Sequence, residues 1–189
     1  MIGNAPKSSL TGVPGWETED EQALLLQMAQ AVPDGGQIVE IGGDMGMSAS
    51  IFCKGAAKSV SIVTVDPFDG ALLETHLANL AEAGFKGRSK QIRGMSEVAG
   101  RQWEEPIDLL FVDGDHAHEG VKRDIDAWVK HILVGGHVVF HDCACATNRL
   151  PHEMHFYVTR AVSEWFFTTK GKWRILTTVN TTMVFERVK

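Results

Sequence analysis

Short apolar runs alternate along this chain with longer segments whose apolar residues recur every three or four positions. Such alternation is typical of a parallel sheet whose strands are joined by helices. The first helix is predicted to begin at Thr18 or Glu19 and to end before Pro33. Strands are predicted at residues 38–41, 60–65, 89–92 and 107–112. The pattern therefore predicts an α/β fold with a mostly parallel sheet.

In the C-terminal part of the chain, the alternation of strands and helices gives way to a predicted β-hairpin. Gly135 and Gly136 predict a turn before a short buried strand that ends at His141. Residues 155–169 have the spacing of an amphipathic helix, and the two apolar runs around Asn180 predict a β-hairpin. The sheet is thus expected to end in at least one antiparallel strand.

Composition sets the domain organisation. The chain has 189 residues, of which 44% are hydrophobic, enough for one domain with a full core. Residues 1–15 are rich in Gly, Pro and Ser and are expected to form a flexible arm or a flap, whereas residues 16–189 form the single domain.

Charge and cysteine content limit the classes of partner and the cellular compartment that we expect for this protein. A net charge of −6 argues against a nucleic-acid-binding surface, and no apolar run reaches the length of a membrane span. The chain has three cysteines, an odd number that does not indicate a framework of paired disulfides, and this favours the reducing cytoplasm. We therefore expect a cytoplasmic protein that binds neither nucleic acid nor membrane.

The segment from Ile38 to Ser48 carries the first chemical signal, because an apolar strand leads through an acid, Glu40, into a glycine turn at Gly42. A dinucleotide-binding turn would need glycines where this chain has Asp44 and Met47, and no lysine follows as in the triphosphate-binding loop. The acidic side chain of Asp44 would also repel a phosphate group at the N-terminus of the following helix. The turn therefore indicates a nucleoside cofactor without phosphates.

Asp66 follows the second strand about twenty residues after the turn, where acids that bind ribose hydroxyls are expected; a capping or merely exposed acid is the alternative. Glu40, Gly42, Gly46 and Asp66 together resemble the first two motifs of class I methyltransferases that use S-adenosylmethionine. The resemblance implies that Gly42 lies against the methionine moiety, that Glu40 orients the site near it, and that the turn after the third strand borders the adenine. The predicted cofactor-binding residues are Glu40, Gly42, Gly43, Gly46, Ser48, Asp66, Pro67, Met95, Ser96 and Asp113.

A second group of polar residues follows the fourth and fifth strands. Asp113, Asp115 and His116 come directly after one strand, and His141 and Asp142 end the next. Neighbouring parallel strands are only about 5 Å apart, so Asp113, His141 and Asp142 can converge on one divalent cation or on one substrate hydroxyl. Carboxylates suit magnesium, and the histidine nitrogen adds manganese, iron or zinc.

Residues 111–128 followed by residues 133–143 also resemble a small methyltransferase family that includes macrocin-type O-methyltransferases and cephalosporin-hydroxylase-like proteins. The match spans residues 38–189. It implies a cation held by Asp113, His141 and Asp142, although His141 stands where relatives usually have an acid, and it places His116 at the position of a general base. It further implies a seven-stranded, doubly wound Rossmann-like sheet in the order 3-2-1-4-5-7-6, with helices on both faces and the strand inserted last antiparallel.

These residues predict O-methylation of a small-molecule hydroxyl, with His116 or Asp115 removing the proton. Asp115 has an alternative role as the cap of the following helix. The acceptor pocket has few candidate walls in so short a chain, and a homodimer is expected. Its aromatic candidates are Trp16, Phe68, Phe156 and Tyr157, each of which has core or interface packing as an alternative.

Other functions remain open from the sequence. A metal-dependent hydroxylase or hydrolase on the same scaffold would use the same acids and histidines, and a non-catalytic module would keep only the nucleoside pocket. A dehydrogenase is disfavoured by Asp44 and Met47. A zinc site in the loop after the fifth strand is a further alternative and would use Cys143, Cys145, His152 and His155.

Overall fold

The computed structural model describes residues 5–143 and 153–189. Its strands are β1 (Gln37–Ile41), β2 (Ser61–Asp66), β3 (Lys90–Arg93), β4 (Ile107–Val112), β5 (Ile132–Phe140), β6 (Trp173–Val179) and β7 (Thr182–Arg187). Its α-helices are α1 (Glu19–Ala31), α2 (Met47–Gly55), α3 (Leu72–Glu82), α4 (Ser96–Arg101), α5 (His118–Trp128) and α6 (Glu153–Thr168), and a 3₁₀ turn covers Val129–His131.

The strands form one seven-stranded sheet in the order β3-β2-β1-β4-β5-β7-β6. Strands β1 to β5 are mutually parallel, whereas β7 runs antiparallel between β5 and β6. The predicted order and the antiparallel insertion are both confirmed. This arrangement brings the carboxyl ends of β1, β2, β4 and β5 to one edge of the sheet, where ligands bind in open α/β folds.

Apolar side chains fill both faces of the sheet, because successive residues of a strand point to opposite sides. Val39 belongs to the core beneath α5 and α6, whereas its neighbour Ile38 belongs to the core beneath α1 and α2. Trp128 is fully buried and anchors α5 to the sheet. The prediction of helices on both faces is therefore confirmed.

One local prediction was wrong, and one short helix was not predicted. Strand β5 begins at Ile132 and runs through Gly135 and Gly136, which the sequence suggested as a turn. The pairing with β4 shifts register there and Gly135 has a φ of +85°, so the glycines form an irregularity inside the strand. Helix α4 was not predicted and directly follows the turn that was predicted after the third strand.

Residues 5–15 lie against α1 and α2. The Ser8 hydroxyl donates to the Gln22 side chain at 2.7 Å, the hydroxyls of Thr11 and Ser50 lie 2.8 Å apart, and Val13 is buried in the core. This part of the predicted arm thus leads the chain over the glycine turn to Trp16. No helix in the described part of the chain is long and apolar enough to cross a membrane.

Candidate active site

A cleft of about 340 Å³ opens at the carboxyl ends of β1, β2 and β4. One wall comes from residues 14–17, and the others come from the loops that follow the strands. The predicted cofactor-binding residues that line it are Gly42, Gly43, Ser48, Asp66, Pro67, Met95, Ser96 and Asp113, and Asp115 lines it as well. Among the other predicted site residues, Glu40, Gly46, His116, His141 and Asp142 lie outside this lining.

The turn between β1 and α2 needs a glycine at its first position. Gly42 has a φ of +86°, and a Cβ there would overlap the carbonyl group of Asp113. The backbone N–H of Gly42 donates to the Val65 carbonyl at 2.9 Å, and that of Asp113 donates to the Ile41 carbonyl at 2.9 Å. The turn is therefore packed directly onto the ends of β2 and β4, without space for a side chain.

Helix α3 holds this turn from behind through two residues that the sequence analysis missed. His76 is fully buried, and its Nδ1 lies 3.2 Å from the carbonyl oxygens of both Gly43 and Asp44. Asn79 donates to the Met45 carbonyl at 2.9 Å. Burial lowers the pKa of His76, which favours the neutral ring in this position. Gly46 faces this ring, since a Cβ there would lie 3.2 Å from Nδ1.

Glu40 lies beneath the cleft and does not reach it. Its carboxylate accepts hydrogen bonds from the hydroxyls of Ser48 and Thr64, the latter at 2.6 Å. Burial raises the pKa of Glu40 to about 8, even though both hydroxyls act in the opposite direction. Glu40 therefore acts on the cleft through Ser48, which lines it.

Asp66 joins the end of β2 to the glycine turn. One carboxylate oxygen accepts from the backbone N–H of Gly43 at 2.8 Å, and the other accepts from that of Phe68 at 2.5 Å. The backbone N–H of Asp44 also donates to Asp66, at 3.4 Å. An ionised carboxylate offers about four acceptor sites, so Asp66 retains capacity for a ribose hydroxyl. Phe68 itself is fully buried against His76, with ring centroids 5.2 Å apart, and does not form an acceptor wall.

A further acid, Asp124 on α5, lines the cleft and was also missed. It is 3% exposed and accepts a hydrogen bond from the Ser96 hydroxyl, while the Trp128 indole donates to the Ser96 carbonyl at 3.0 Å. Burial raises the pKa of Asp124 to about 6. Its position next to Ile125 on the apolar face of α5 was a usable signal, because a carboxylate on a buried helix face needs a partner or a ligand.

The acids and histidines at the ends of β4 and β5 do converge. His141 Nδ1 lies 3.2 Å from Asp113 Oδ1 and 3.6 Å from Asp142 Oδ2. His116 Nε2 lies 3.4 Å from Asp113 Oδ1 and 3.1 Å from Asp142 Oδ2. Within the described residues, Asp113, His141 and Asp142 form a group whose ligand atoms all lie within 4.8 Å of one another.

The charges in this cluster shift one another's pKa values. The carboxylates of Asp113 and Asp142 raise the pKa of His116 to about 9. Burial by itself would raise the pKa of Asp113, but the charge of His141 and the proximity of His116 outweigh it and bring the value to about 2. Without a bound ion, imidazolium groups thus balance the carboxylates.

Three further residues surround the cluster; the sequence singled out His155 alone among them, as an alternative zinc ligand, and did not predict the other two. Glu21 Oε2 lies 3.7 Å from His141 Nε2, and His155 Nε2 lies 2.9 Å from Asp142 Oδ1. Glu17, 7% exposed, reaches the cleft from the N-terminal segment, and burial followed by the charge of Asp113 raises its pKa.

Asp115 lies on the cleft wall. Its carboxylate accepts from the backbone N–H of Ala117 at 2.9 Å and lies 3.4 Å from the Arg123 guanidinium. These contacts are those of a residue that orders the start of α5. Of the alternative zinc ligands, Cys145 and His152 lie outside the described residues, while Cys143 is buried beside Met183.

Comparisons with known proteins agree with this architecture. A family model described as a methyltransferase domain matches residues 39–143, more than half of the chain. An uncharacterized protein, R132, from Acanthamoeba polyphaga mimivirus is 44% identical over 36 residues, which are 19% of this chain and 16% of that protein. The sequence match thus spans only a small part of that relative's length.

Solved structures match over nearly the whole chain. A protein from Corynebacterium glutamicum superposes with a TM-score of 0.74 at 17% identity, covering 94% of this chain and 84% of that chain. The O-methyltransferase TomG from Streptomyces achromogenes, solved with S-adenosylmethionine, has a TM-score of 0.69 at 19% identity and covers 92% and 82%. The chain therefore belongs to the methyltransferase domain family and has the fold of class I S-adenosylmethionine-dependent methyltransferases.

Proposed function

We propose that this protein transfers the methyl group of S-adenosylmethionine to a hydroxyl of a small molecule, assisted by a divalent cation. The observation that carries the proposal is the position of His116 between the carboxylates of Asp113 and Asp142, at distances of 3.4 and 3.1 Å, beside the cleft. This arrangement supports the proposal, because it brings an imidazole and two carboxylates together next to the cleft.

The residues of the cleft fit the cofactor from end to end. The Gly42 turn accommodates the methionine tail without a side chain in the way, and the Ser48 hydroxyl lies in the lining beside it. Asp66, Met95 and Ser96 line the cleft, and we propose that the first binds the ribose and that the other two border the adenine. When bound, S-adenosylmethionine supplies an electrophilic methyl group on a sulfonium sulfur. The protein positions that group for in-line transfer, which requires orientation more than covalent chemistry.

Asp113, His141 and Asp142 would hold the cation. Their donor atoms are two carboxylate oxygens and one imidazole nitrogen within 4.8 Å of one another, a set that divalent metals accept. A cation there would lower the pKa of an acceptor hydroxyl and so favour its deprotonation.

A cation bound to Asp113 and Asp142 would offset the two carboxylates that raise the pKa of His116, and so favour its neutral ring. The neutral His116 then accepts the proton of the acceptor hydroxyl. Its side chain is about one-third exposed, so that a substrate can reach it, and it is oriented by the two carboxylates behind it. General-base catalysis of this kind contributes about 10²- to 10⁴-fold to rate. Trp16, 60% exposed on the cleft rim, offers an aromatic wall for the acceptor.

The proposal is tested first by cofactor binding and then by turnover. Purified protein is titrated with S-adenosylhomocysteine while its melting temperature is followed; ligand at 100 times its dissociation constant stabilises by about 2.7 kcal/mol. A panel of phenols, catechols and sugars is then incubated with S-adenosylmethionine, with and without a chelator. Formation of S-adenosylhomocysteine that requires both an acceptor and a cation is expected. If millimolar S-adenosylhomocysteine gives no thermal shift, the proposed function is wrong.

A further inference from the structure

We infer that the Asp113–His141–Asp142 cluster binds a first-row transition-metal dication, such as Mn²⁺ or Fe²⁺, in preference to Mg²⁺, and that Glu21 positions His141 for this role. The inference rests on the cation assistance in the proposed function, but it concerns only the identity of the ion and its ligands. It follows from the geometry around His141.

The distances around His141 Nδ1 match those between ligands that share one ion. Nδ1 lies 3.2 Å from Asp113 Oδ1 and 3.6 Å from Asp142 Oδ2. Ligands about 2.1 Å from a common metal lie about 3.0 Å apart in octahedral and about 3.4 Å apart in tetrahedral geometry. Small shifts of these side chains would therefore complete a site with one nitrogen and two oxygen donors.

The other nitrogen of this ring faces a carboxylate. His141 is 7% exposed, and its Nε2 lies 3.7 Å from Glu21 Oε2, with no direct hydrogen-bond partner among the described residues. A proton on Nε2 directed at Glu21 leaves the Nδ1 lone pair directed at the two aspartates. This carboxylate–imidazole arrangement fixes the tautomer of metal-binding histidines in proteins generally.

Glu21 is itself held rigidly. Its Oε2 accepts from the backbone N–H and hydroxyl of Thr18 at 3.0 and 2.8 Å, and its Oε1 accepts from the hydroxyls of Thr181 and Thr182 at 2.8 and 3.0 Å. The N-terminus of α1 and the β6–β7 hairpin thus meet at one carboxylate directed towards His141. Capping α1 would not require contacts to the hairpin or an orientation towards His141. We therefore assign Glu21 the role of positioning His141.

The chemical nature of the three donor atoms, one nitrogen and two oxygens, determines which cation the cluster prefers. Mg²⁺ prefers oxygen ligands and near-ideal octahedral geometry, whereas an imidazole nitrogen suits Mn²⁺, Fe²⁺, Co²⁺ and Zn²⁺. A buried histidine that is fixed by a second carboxylate therefore favours the transition metals.

The test is calorimetric titration of the chelator-treated full chain with Mn²⁺ alone and with Mg²⁺ alone. We expect Mn²⁺ to bind at least about tenfold more tightly. His141→Asp, which makes the donors all oxygen, should remove most of that preference. Glu21→Gln should weaken Mn²⁺ binding about 10- to 100-fold, whereas Glu19→Gln, an exposed position on the same helix, should leave it unchanged.

Paramagnetic resonance of bound Mn²⁺ provides a second readout. Nitrogen coupling is expected in the wild-type protein and should be lost in His141→Asp, or in His141→Asn if the first variant does not fold. Equal affinity for the two ions, a preference for Mg²⁺, or nitrogen coupling that survives in these variants would overturn the inference. If neither variant folds, the wild-type affinity ratio and coupling decide.

Binding of S-adenosylhomocysteine is measured on the same samples, which separates the two proposals. Retained cofactor binding without any Mn²⁺ binding overturns this inference and leaves the methyltransferase proposal standing without its cation. Tight, nitrogen-coupled Mn²⁺ without cofactor binding would do the reverse.

Discussion

The carboxylate of Asp66 accepts a hydrogen bond of 2.8 Å from the backbone N–H of Gly43. The acid at the end of β2 and the glycine turn after β1 are therefore one structural unit. An acid that was predicted only as a ribose ligand also shapes the turn on which the methionine end of the cofactor is proposed to rest.

Asp66→Ala should consequently weaken cofactor binding more than the loss of a ribose contact alone would. The substitution also leaves the backbone N–H groups of Gly43 and Phe68 without their acceptor, which costs about 1–3 kcal/mol for each buried group. We expect the affinity for S-adenosylhomocysteine to fall at least about tenfold, or about 1.4 kcal/mol, measured by calorimetry. Affinity for the cation should stay the same.

The matched control for this substitution is Asp69→Ala. Asp69 is exposed three residues further along the same loop, so its removal should change neither the melting temperature nor the affinity for S-adenosylhomocysteine. A parallel loss of cofactor and cation affinity in Asp66→Ala would contradict the division of the site into two parts.

Gly42 offers a test of the close packing between the turn and β4. Gly42→Ala introduces a Cβ that overlaps the Asp113 carbonyl, whereas a Cβ at Gly70 meets nothing within 4 Å. Both glycines have positive φ, +86° and +58°, so both substitutions incur the strain of about 1–2 kcal/mol for a left-handed residue.

The overlap at Gly42 adds the cost of overpacking, about 1–3 kcal/mol. Urea denaturation should therefore show Gly42→Ala to be less stable than Gly70→Ala by about that amount. Equal losses would mean that the turn can move away from β4, and the proposed rigidity of the cleft would then be wrong.

Much of the fold was predictable because periodicity alone identifies β1, β2 and β4, and because the resemblance supplied the strand order. The onset of β5 was not predictable, since Gly135 and Gly136 are as typical of turns as of irregular strands. Helix α4 was missed because six residues are too few to display an apolar face, and Met95 at its N-cap makes no capping hydrogen bond.

The candidate site was predictable where its polar residues come directly after a strand in the sequence. The carboxyl ends of β4 and β5 had to meet, which placed Asp113 near His141. Glu21 and His76 were missed because tertiary packing brings them in from α1 and α3. In the sequence, Glu21 is indistinguishable from an ordinary capping-box acid, and only the fold shows that it also faces His141.

The buried carboxyl of Asp124 should make stability depend on pH. Burial raises its pKa from the ordinary 3.8 to about 6, so the unfolded chain releases this proton at a lower pH than the folded protein does. The contribution of Asp124 to the free energy of unfolding therefore falls as the pH rises from about 4 to about 6, and it stays constant above that range. A difference of about two pKa units corresponds to roughly 3 kcal/mol.

Asp124→Asn cannot titrate and keeps an oxygen that accepts from Ser96. The stability of this variant relative to wild type should increase between pH 4 and pH 6 by roughly the 3 kcal/mol derived above, measured by urea denaturation at several pH values. Asp126→Asn, exposed on the same helix, is the control and should show no such trend. A pH-independent difference in Asp124→Asn would refute the raised pKa.

A substitution at Asp142 can distinguish cation binding from cofactor binding, because the Asp142 carboxylate belongs to the cluster but does not line the cleft. Asp142→Asn is the suitable substitution, since Asp142 has a φ of +51° and asparagine adopts the left-handed region readily. The variant replaces a charged ligand by a neutral one and removes a carboxylate that lies against His116 and His155. We expect cation-stimulated methyl transfer to be lost while S-adenosylhomocysteine binds within about threefold of wild type, a difference of less than 1 kcal/mol.

Two titrations of the same preparation check this expectation, one with Mn²⁺ and one with S-adenosylhomocysteine, and Asp126→Asn again serves as the control. Cation affinity that survives in Asp142→Asn would remove Asp142 from the ligand set and leave only Asp113 and His141 to hold the ion. A loss of cofactor affinity would instead show that the cluster and the cleft are coupled, because the backbone of Asp113 packs on Gly42 while its side chain contacts His141. A rigid Asp113 shared by both parts would then transmit a change at β5 to the methionine end of the cleft.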